Sequence, residues 1–212
     1  MNSSVIKNIL FDLDGTLIDS YPGIQKAFDF AYEKIYGDKC TYNIRPFVGP
    51  PIKDIFAEIS AETDQKKIMQ FVQSFQKFYD TEFYKLSVLY DGVKELLEVL
   101  KNKNINLYIA TNKRFIPTEL ILELLNISSY FKKVYCIDNG SNFFADKIEM
   151  VAQIISEENL QITETLFIGD TDHDFMAAEN NNLNFIYADY GFGKLMYMKN
   201  IINNPFETIN YI

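Results

Sequence analysis

Cysteine is nearly absent from this chain, with Cys40 and Cys136 the only two in 212 residues. They lie far apart and form neither a CxxC pair nor a cluster with the single histidine, His173. That excludes a disulfide framework and a zinc site of the usual spacing, and both thiols read as packing groups. An excess of basic charge is also missing: 20 Lys and Arg stand against 29 Asp and Glu, a net charge of -9. Such a balance argues against nucleic acid or an anionic membrane surface as a partner, while leaving room for a locally positive site that takes a small anion. Finally, no apolar run approaches the ~20 residues of a membrane span, and no basic segment precedes an apolar one near Met1. The expectation is a cytoplasmic protein without internal repeats or low-complexity segments, monomeric or a weak homodimer.

What is present is 48% hydrophobic residues in a distribution that changes character along the chain. Five short apolar runs, Val5–Phe11, Ile105–Ala110, Val134–Ile137, Thr165–Ile168 and Asn184–Ala188, have the length and bounding residues of buried strands. Between the later runs, Ile116, Leu120, Ile121, Leu124 and Leu125, and then Met150, Val151, Ile154 and Ile155, recur at helical spacing. Alternation of this kind predicts an α/β fold, a Rossmann-like parallel sheet covered by helices on both faces.

Between the first two runs the order breaks for roughly 70 residues. Here Ile24, Ala27, Phe28, Ala31 and Ile35 form one amphipathic helix ending at Gly37. Ile68, Phe71, Val72, Phe75, Phe78 and Tyr79 form another, with Asp64 as N-cap. A crossover needs far less chain, so residues 18–85 are predicted to be an inserted helical cap domain, and 1–17 with 86–212 the core domain. The phenylalanine stripes of the insertion read as packing, not as a cofactor site.

The chemistry is predicted at the strand ends. The first run ends in Asp12-Leu13-Asp14-Gly15, and alternation along a strand puts both carboxylates on one face, with Gly15 allowing the turn. The second ends at Thr111-Asn112, and the fourth at Gly169-Asp170-Thr171-Asp172-His173-Asp174. In a parallel sheet these C-terminal ends share an edge, where open α/β sheets bind ligands. Carboxylates brought together there repel one another unless a hard divalent cation neutralises them, and oxygen donors favour Mg²⁺. A hydroxyl, an amide and the ammonium of Lys147, which opens the Met150 helix, suit the oxygens of a phosphoryl group.

These stretches resemble the haloacid dehalogenase superfamily on its phosphatase side, and phosphoglycolate phosphatases in particular. Asp12 to Ser20 carries the motif DxDGTLxDS, Ile109-Ala110-Thr111-Asn112-Lys113 its apolar strand ending in Ser or Thr, and Phe167-Ile168-Gly169-Asp170 through Asp174 its GDxxxD. The resemblance implies a Mg²⁺-dependent phosphatase of a small phosphate monoester, 2-phosphoglycolate being one candidate. Asp12 would be the nucleophile and Asp14 the general acid and base. Asp12, the Asp14 backbone carbonyl, Asp170 and Asp174 would hold the metal. Thr111 and Lys147 would stabilise the phosphoryl group, and Gly15, Thr16 and Asn112 would bind substrate. Residues 47–51, Phe-Val-Gly-Pro-Pro, resemble the substrate-facing loop of the family's cap.

Lys147 departs from the Lys-Pro pair of many relatives, which leaves Lys113 and Lys132 as alternatives. Bland readings stand beside these: helix capping for Asp170 and Asp174, a turn residue for Thr111, and solvated surface for Arg45 and Lys53. His173 falls at a variable position of GDxxxD and is expected to be a bystander. Tyr190-Gly191-Phe192-Gly193 resembles a segment of phosphoglycolate-phosphatase-like proteins and has no role legible in the sequence. A phosphosugar mutase of the β-phosphoglucomutase type shares both aspartates, and a phosphoryl-accepting module without turnover uses a similar acidic, Thr and Lys set. Asp14 argues against dehalogenases and phosphonoacetaldehyde hydrolases, which lack it.

Overall fold

The computed structural model describes residues 5–139 and 142–212, so residues 1–4 and 140–141 of the expected core domain lie outside it. A six-stranded sheet runs through the middle, built from β1 (Asn8–Phe11), β4 (Asn106–Thr111), β5 (Lys133–Cys136), β8 (Thr165–Gly169), β9 (Asn184–Ala188) and β10 (Ile201–Ile202). The order is β10-β9-β8-β1-β4-β5, and every pairing is parallel. This is the Rossmann-like α/β arrangement that the alternating pattern predicts. β1 is central, with Phe11 in register with Ile109 on one side and Ile168 on the other.

Both faces of the sheet are covered, which is why its strands read as continuous apolar runs and not as alternation. Ile9, Phe11, Leu107, Ile109 and Ile168 pack on α4 (Val93–Asn102) and α5 (Phe115–Leu124). Leu10, Tyr108, Ala110 and Phe167 point the other way, onto α6 (Lys147–Glu157) and α7 (Asp172–Asn180).

Between the short strands β2 (Ile18–Asp19) and β3 (Val88–Leu89) lie three helices, α1 (Tyr21–Tyr36), α2 (Ile52–Ser60) and α3 (Gln65–Thr81). Pro22 in the first turn of α1 costs no helical hydrogen bond, and Gly37, at φ 75°, closes the helix by donating its N–H to Glu33 O at 2.8 Å. Asp64 caps α3 by accepting from the Lys66 N–H at 2.8 Å. The three helices meet through phenylalanines. Phe56 stacks on Phe71 with centroids 3.8 Å apart, and Phe28 meets Phe71 edge-on at 4.9 Å. Such pairs add about 0.5–1.5 kcal/mol each to their burial. The stripes are therefore packing, as their spacing predicts. β2 and β3 pair antiparallel, Ile18 with Leu89 and Asp19 with Val88, so the chain enters and leaves the helical unit through two adjacent strands.

Absent from the sequence reading are the helices α2 and α4 and the short strands β10, the β2–β3 pair, and an antiparallel pair of β6 (Asp138–Asn139) and β7 (Asn142–Phe143). Each strand has two residues, too few for any period to register. Cys40 and Cys136 are free and buried, and burial pushes their thiols up to about 11 and about 12. Among the described residues, no helix is long and apolar enough to cross a membrane.

Candidate active site

β1 delivers Asp12 to the sheet edge, where its N–H donates to Ile168 O at 2.9 Å and so continues the ladder toward β8. β8 delivers Asp170, and the first turn of α7 adds Asp174. Oxygens of these three buried carboxylates lie within 4.8 Å of one another. Lys147, first residue of α6 and 4% exposed, reaches into the same space and donates at 2.6 Å to both Asp12 Oδ1 and Asp174 Oδ1.

One ammonium among three carboxylates leaves the cluster short of positive charge. Burial raises Asp12 well above the usual carboxylate range; Lys147 pulls it down, while Asp174 and Asp170 push it up further. Burial and Asp174 lift Asp170 to about 7, against the N–H groups of Phe192 and Gly193. Burial would lower Lys147, but Asp12 and Asp174 hold it above its ordinary value, and it stays charged. An all-oxygen donor set this short of countercharge fits a hard divalent cation.

Asp174 serves two purposes at once. Its Oδ2 accepts from the Thr171 N–H at 2.9 Å and hydroxyl at 2.7 Å, completing a capping box on α7, while Oδ1 faces Lys147. Capping of α7 by Asp174 thus coexists with its place beside Lys147.

The segment after β9 turns out to clamp Asp170. Phe192 N–H donates to Asp170 Oδ2 at 2.7 Å, Gly193 N–H at 3.4 Å, and the Tyr190 hydroxyl fixes Thr16 O at 2.8 Å. At Gly191 a Cβ would sit 2.3 Å from Asp170 Cβ and 2.5 Å from Gly15 O, so only glycine permits this approach. Gly191→Ala is expected to displace Asp170 and weaken divalent-cation affinity about 10–100-fold, the range for losing an outer support of a ligand. Calorimetric titration of the metal-free protein measures it, and unchanged affinity would remove the clamp from the account.

Asp14 stands apart from the trio. Both its oxygens accept from Lys113 Nζ, at 2.9 and 3.0 Å, and Oδ1 also accepts from the Ser20 hydroxyl at the start of α1. Lys113 in turn lies 4.7 Å from the centroid of Tyr79, near the end of α3. Burial would lower Lys113; Asp14 and Tyr79 raise it. Asp14 is thus held directly by Ser20, at one end of the helical unit, and by Lys113, against which Tyr79 near the other end packs.

Of the lysines considered from sequence, Lys147 is the one that touches Asp12, Lys113 pairs with Asp14, and Lys132 is engaged with Glu158 at 2.9 Å. Thr111 is buried at the end of β4 and lines a cavity with Asp12, Asp14, Asn112 and Lys147. Asn112 ties this edge to the 47–51 loop by donating to Gly49 O at 3.3 Å. Gly15 and Thr16, expected against substrate, pack on Asp170. A Cβ on Gly15 would meet Asp170 Oδ2 at 2.2 Å, and the Thr16 hydroxyl donates to Asp170 Oδ1 at 3.4 Å. Neither is among the residues lining the cavity. Arg45 is half-buried between the rings of Tyr21 and Phe192, 5.0 and 5.1 Å from their centroids. Lys53 stands exposed at the cavity rim, and His173 is exposed beside Asp172.

The model of the haloacid dehalogenase-like hydrolase family matches residues 9–188. The chain belongs to that family. Among curated proteins, this hydrolase is 32% identical over 189 residues to a 5'-nucleotidase of Pseudomonas aeruginosa, covering 88% of the chain and 84% of the relative. It is 33% identical over 199 residues to a phosphoglycolate phosphatase of Photobacterium profundum, covering 88% and 85%. A solved haloacid dehalogenase-like hydrolase from Streptococcus pneumoniae superposes with a TM-score of 0.87 at 27% identity, covering 100% of this chain and 99% of that one.

Proposed function

We propose that this hydrolase is a Mg²⁺-dependent phosphomonoesterase acting on a small phosphorylated metabolite through a phospho-aspartyl intermediate on Asp12. The observation that carries the reading is the buried trio Asp12, Asp170 and Asp174 with Lys147 among them, at a cavity that also presents Asp14 and Thr111. The relatives named for phosphate monoester hydrolysis support it.

Mg²⁺ held by the carboxylates of Asp12 and Asp170 and the Asp14 carbonyl, with Asp174 beside them, would neutralise the charge that keeps a carboxylate and a phosphate dianion apart. A carboxylate oxygen of Asp12 attacks phosphorus as the ester P–O bond breaks, and Asp14 gives its proton to the departing oxygen. Asp14, now a carboxylate, takes a proton from water as that water's oxygen attacks phosphorus. The bond from phosphorus to Asp12 breaks, and phosphate leaves. Thr111 donates to the phosphoryl oxygens, and Lys147 offsets charge on Asp12 throughout. The Lys113 pair suits the carboxylate form of Asp14 that the second half-reaction needs. Residues 18–85 serve as the cap, moving about the β2–β3 pair, so that Ser20 and Tyr79 link its position to Asp14.

The purified chain with Mg²⁺ is expected to release phosphate from p-nitrophenyl phosphate, and chelation by EDTA to remove nearly all of that rate. Failure to release phosphate from this ester or from any of a panel of phosphorylated metabolites would contradict the reading. Faster conversion of a hexose 1-phosphate to its 6-phosphate than phosphate release would reassign the chain as a mutase. A phosphorylated protein stable for minutes would make it an accepting module.

A further inference from the structure

The cavity in front of Asp12 and Asp14 has a volume of about 460 Å³, within the ~300–1,000 Å³ of sites built for drug-sized ligands. A two-carbon glycolate would leave most of it unfilled. Its walls away from the carboxylates are apolar: Pro51, Ile52, Ile55, Val72 and Phe75 from the helical unit, and Phe143 from the β6–β7 pair. Phe143 is 77% exposed, a large ring that the folded chain itself does not bury. Exposed aromatics at a cavity mouth are surfaces on which a flat ligand group stacks.

Among the described residues, the lining cations other than Lys53 are already committed. Lys147 serves Asp12 and Asp174, Lys113 serves Asp14, and Arg114 pairs with Asp80 at 2.6 Å. Lys53 lies exposed at the rim, 3.9 Å from Asp54. A leaving group with a carboxylate of its own therefore finds no buried cation, and Asp138 in the lining would repel it. Uncharged hydrogen-bonding groups are provided for, by Gln76 and Asn112.

Resting on the phosphatase reading above, we infer that the leaving group is a nucleoside, so that the substrate class is a nucleoside 5'-monophosphate, with its base against Phe143. Size, apolar walls, an unburied ring and the lack of a free buried cation all select a large, flat, uncharged alcohol over a small anionic one.

The test compares kcat/KM for AMP, UMP, 2-phosphoglycolate and phenyl phosphate, in the native chain and in Phe143→Ala. The nucleotides are expected to exceed 2-phosphoglycolate at least about 10-fold. Phe143→Ala should raise KM for AMP about 10-fold, the scale of one lost base–aromatic stack, and raise it more than for 2-phosphoglycolate. If 2-phosphoglycolate equals or exceeds both nucleotides, the nucleoside inference fails while the phosphatase reading stands. Equal KM changes for both substrates would remove Phe143 from the contact. Turnover of none of the four, phenyl phosphate included, would instead overturn the phosphatase reading beneath it.

Discussion

Asp12→Asn is expected to slow phosphate release at least about 10⁴-fold while leaving the fold intact, since losing a nucleophile removes the covalent route altogether. The geometry explains both halves of that expectation. Asp12 sits at the C-terminal end of the central strand, and its backbone bond to Ile168 is untouched by the change. An amide is close to isosteric with the carboxylate, and it still accepts from Lys147 through its oxygen. It also removes one of three mutually repelling buried charges, so thermal stability should hold or rise. Activity measured with phenyl phosphate, alongside a thermal melt, separates the two. A variant that keeps even a tenth of the native rate would exclude Asp12 as nucleophile.

Lys147→Met is expected to cost about 3–5 kcal/mol of stability at neutral pH, because removing one partner of a buried ion pair leaves its counter-charges uncompensated. For a chain of this size that lowers the melting temperature on the order of 10 °C. The deficit has a definite pH dependence. Asp170, raised to about 7, and Asp12, raised well above its ordinary value, are both easier to keep protonated in the folded chain than in the unfolded one. The stability associated with their protonated forms is present at low pH and is lost as pH rises through the folded values. Without Lys147 those values climb further, so the variant should lie closer to the native chain at pH 5 than at pH 8. Saturating Mg²⁺ should restore part of the loss at pH 8 by supplying the missing positive charge. Melting curves at the two pH values, with and without Mg²⁺, give all four comparisons. Equal deficits at both would show that Lys147 acts through packing alone.

The central sheet was legible because its strands are buried on both faces, and continuous apolar runs such as Thr165–Ile168 announce that directly. The helical unit was legible for a different reason: Phe28, Phe71 and Phe75 fall at helical spacing over a stretch too long for a crossover. The candidate residues Asp12, Thr111 and Asp170 could be expected to meet because each lies at the end of a strand, and parallel pairing brings such ends together whatever their separation in sequence. The illegible parts depend on contacts with no local signature. Nothing around Tyr190-Gly191-Phe192-Gly193 says that two of its N–H groups meet a carboxylate 22 and 23 positions earlier. Lys113 and Asp14 pair across 99 positions, and the sequence offered Lys113 only as an alternative to Lys147, not as the partner of Asp14. The strands β2, β3 and β10 carry too few residues for periodicity to register. Nor did the motif say that the backbone turn after Asp14 carries Gly15 and Thr16 against Asp170.

The covalent bond between Asp12 and phosphorus is the claim on which the rest depends, and rapid acid quench during turnover tests it most directly. Native protein mixed with Mg²⁺ and excess phenyl phosphate, stopped in acid and digested, should yield a peptide spanning Asp12 that is heavier by one phosphoryl group. The modification should map to Asp12 and be lost on mild alkaline or hydroxylamine treatment, as an acyl phosphate is. An enzyme that turns over rapidly yet gives no modified Asp12 peptide at any quench time, or one modified at another residue, would contradict the account.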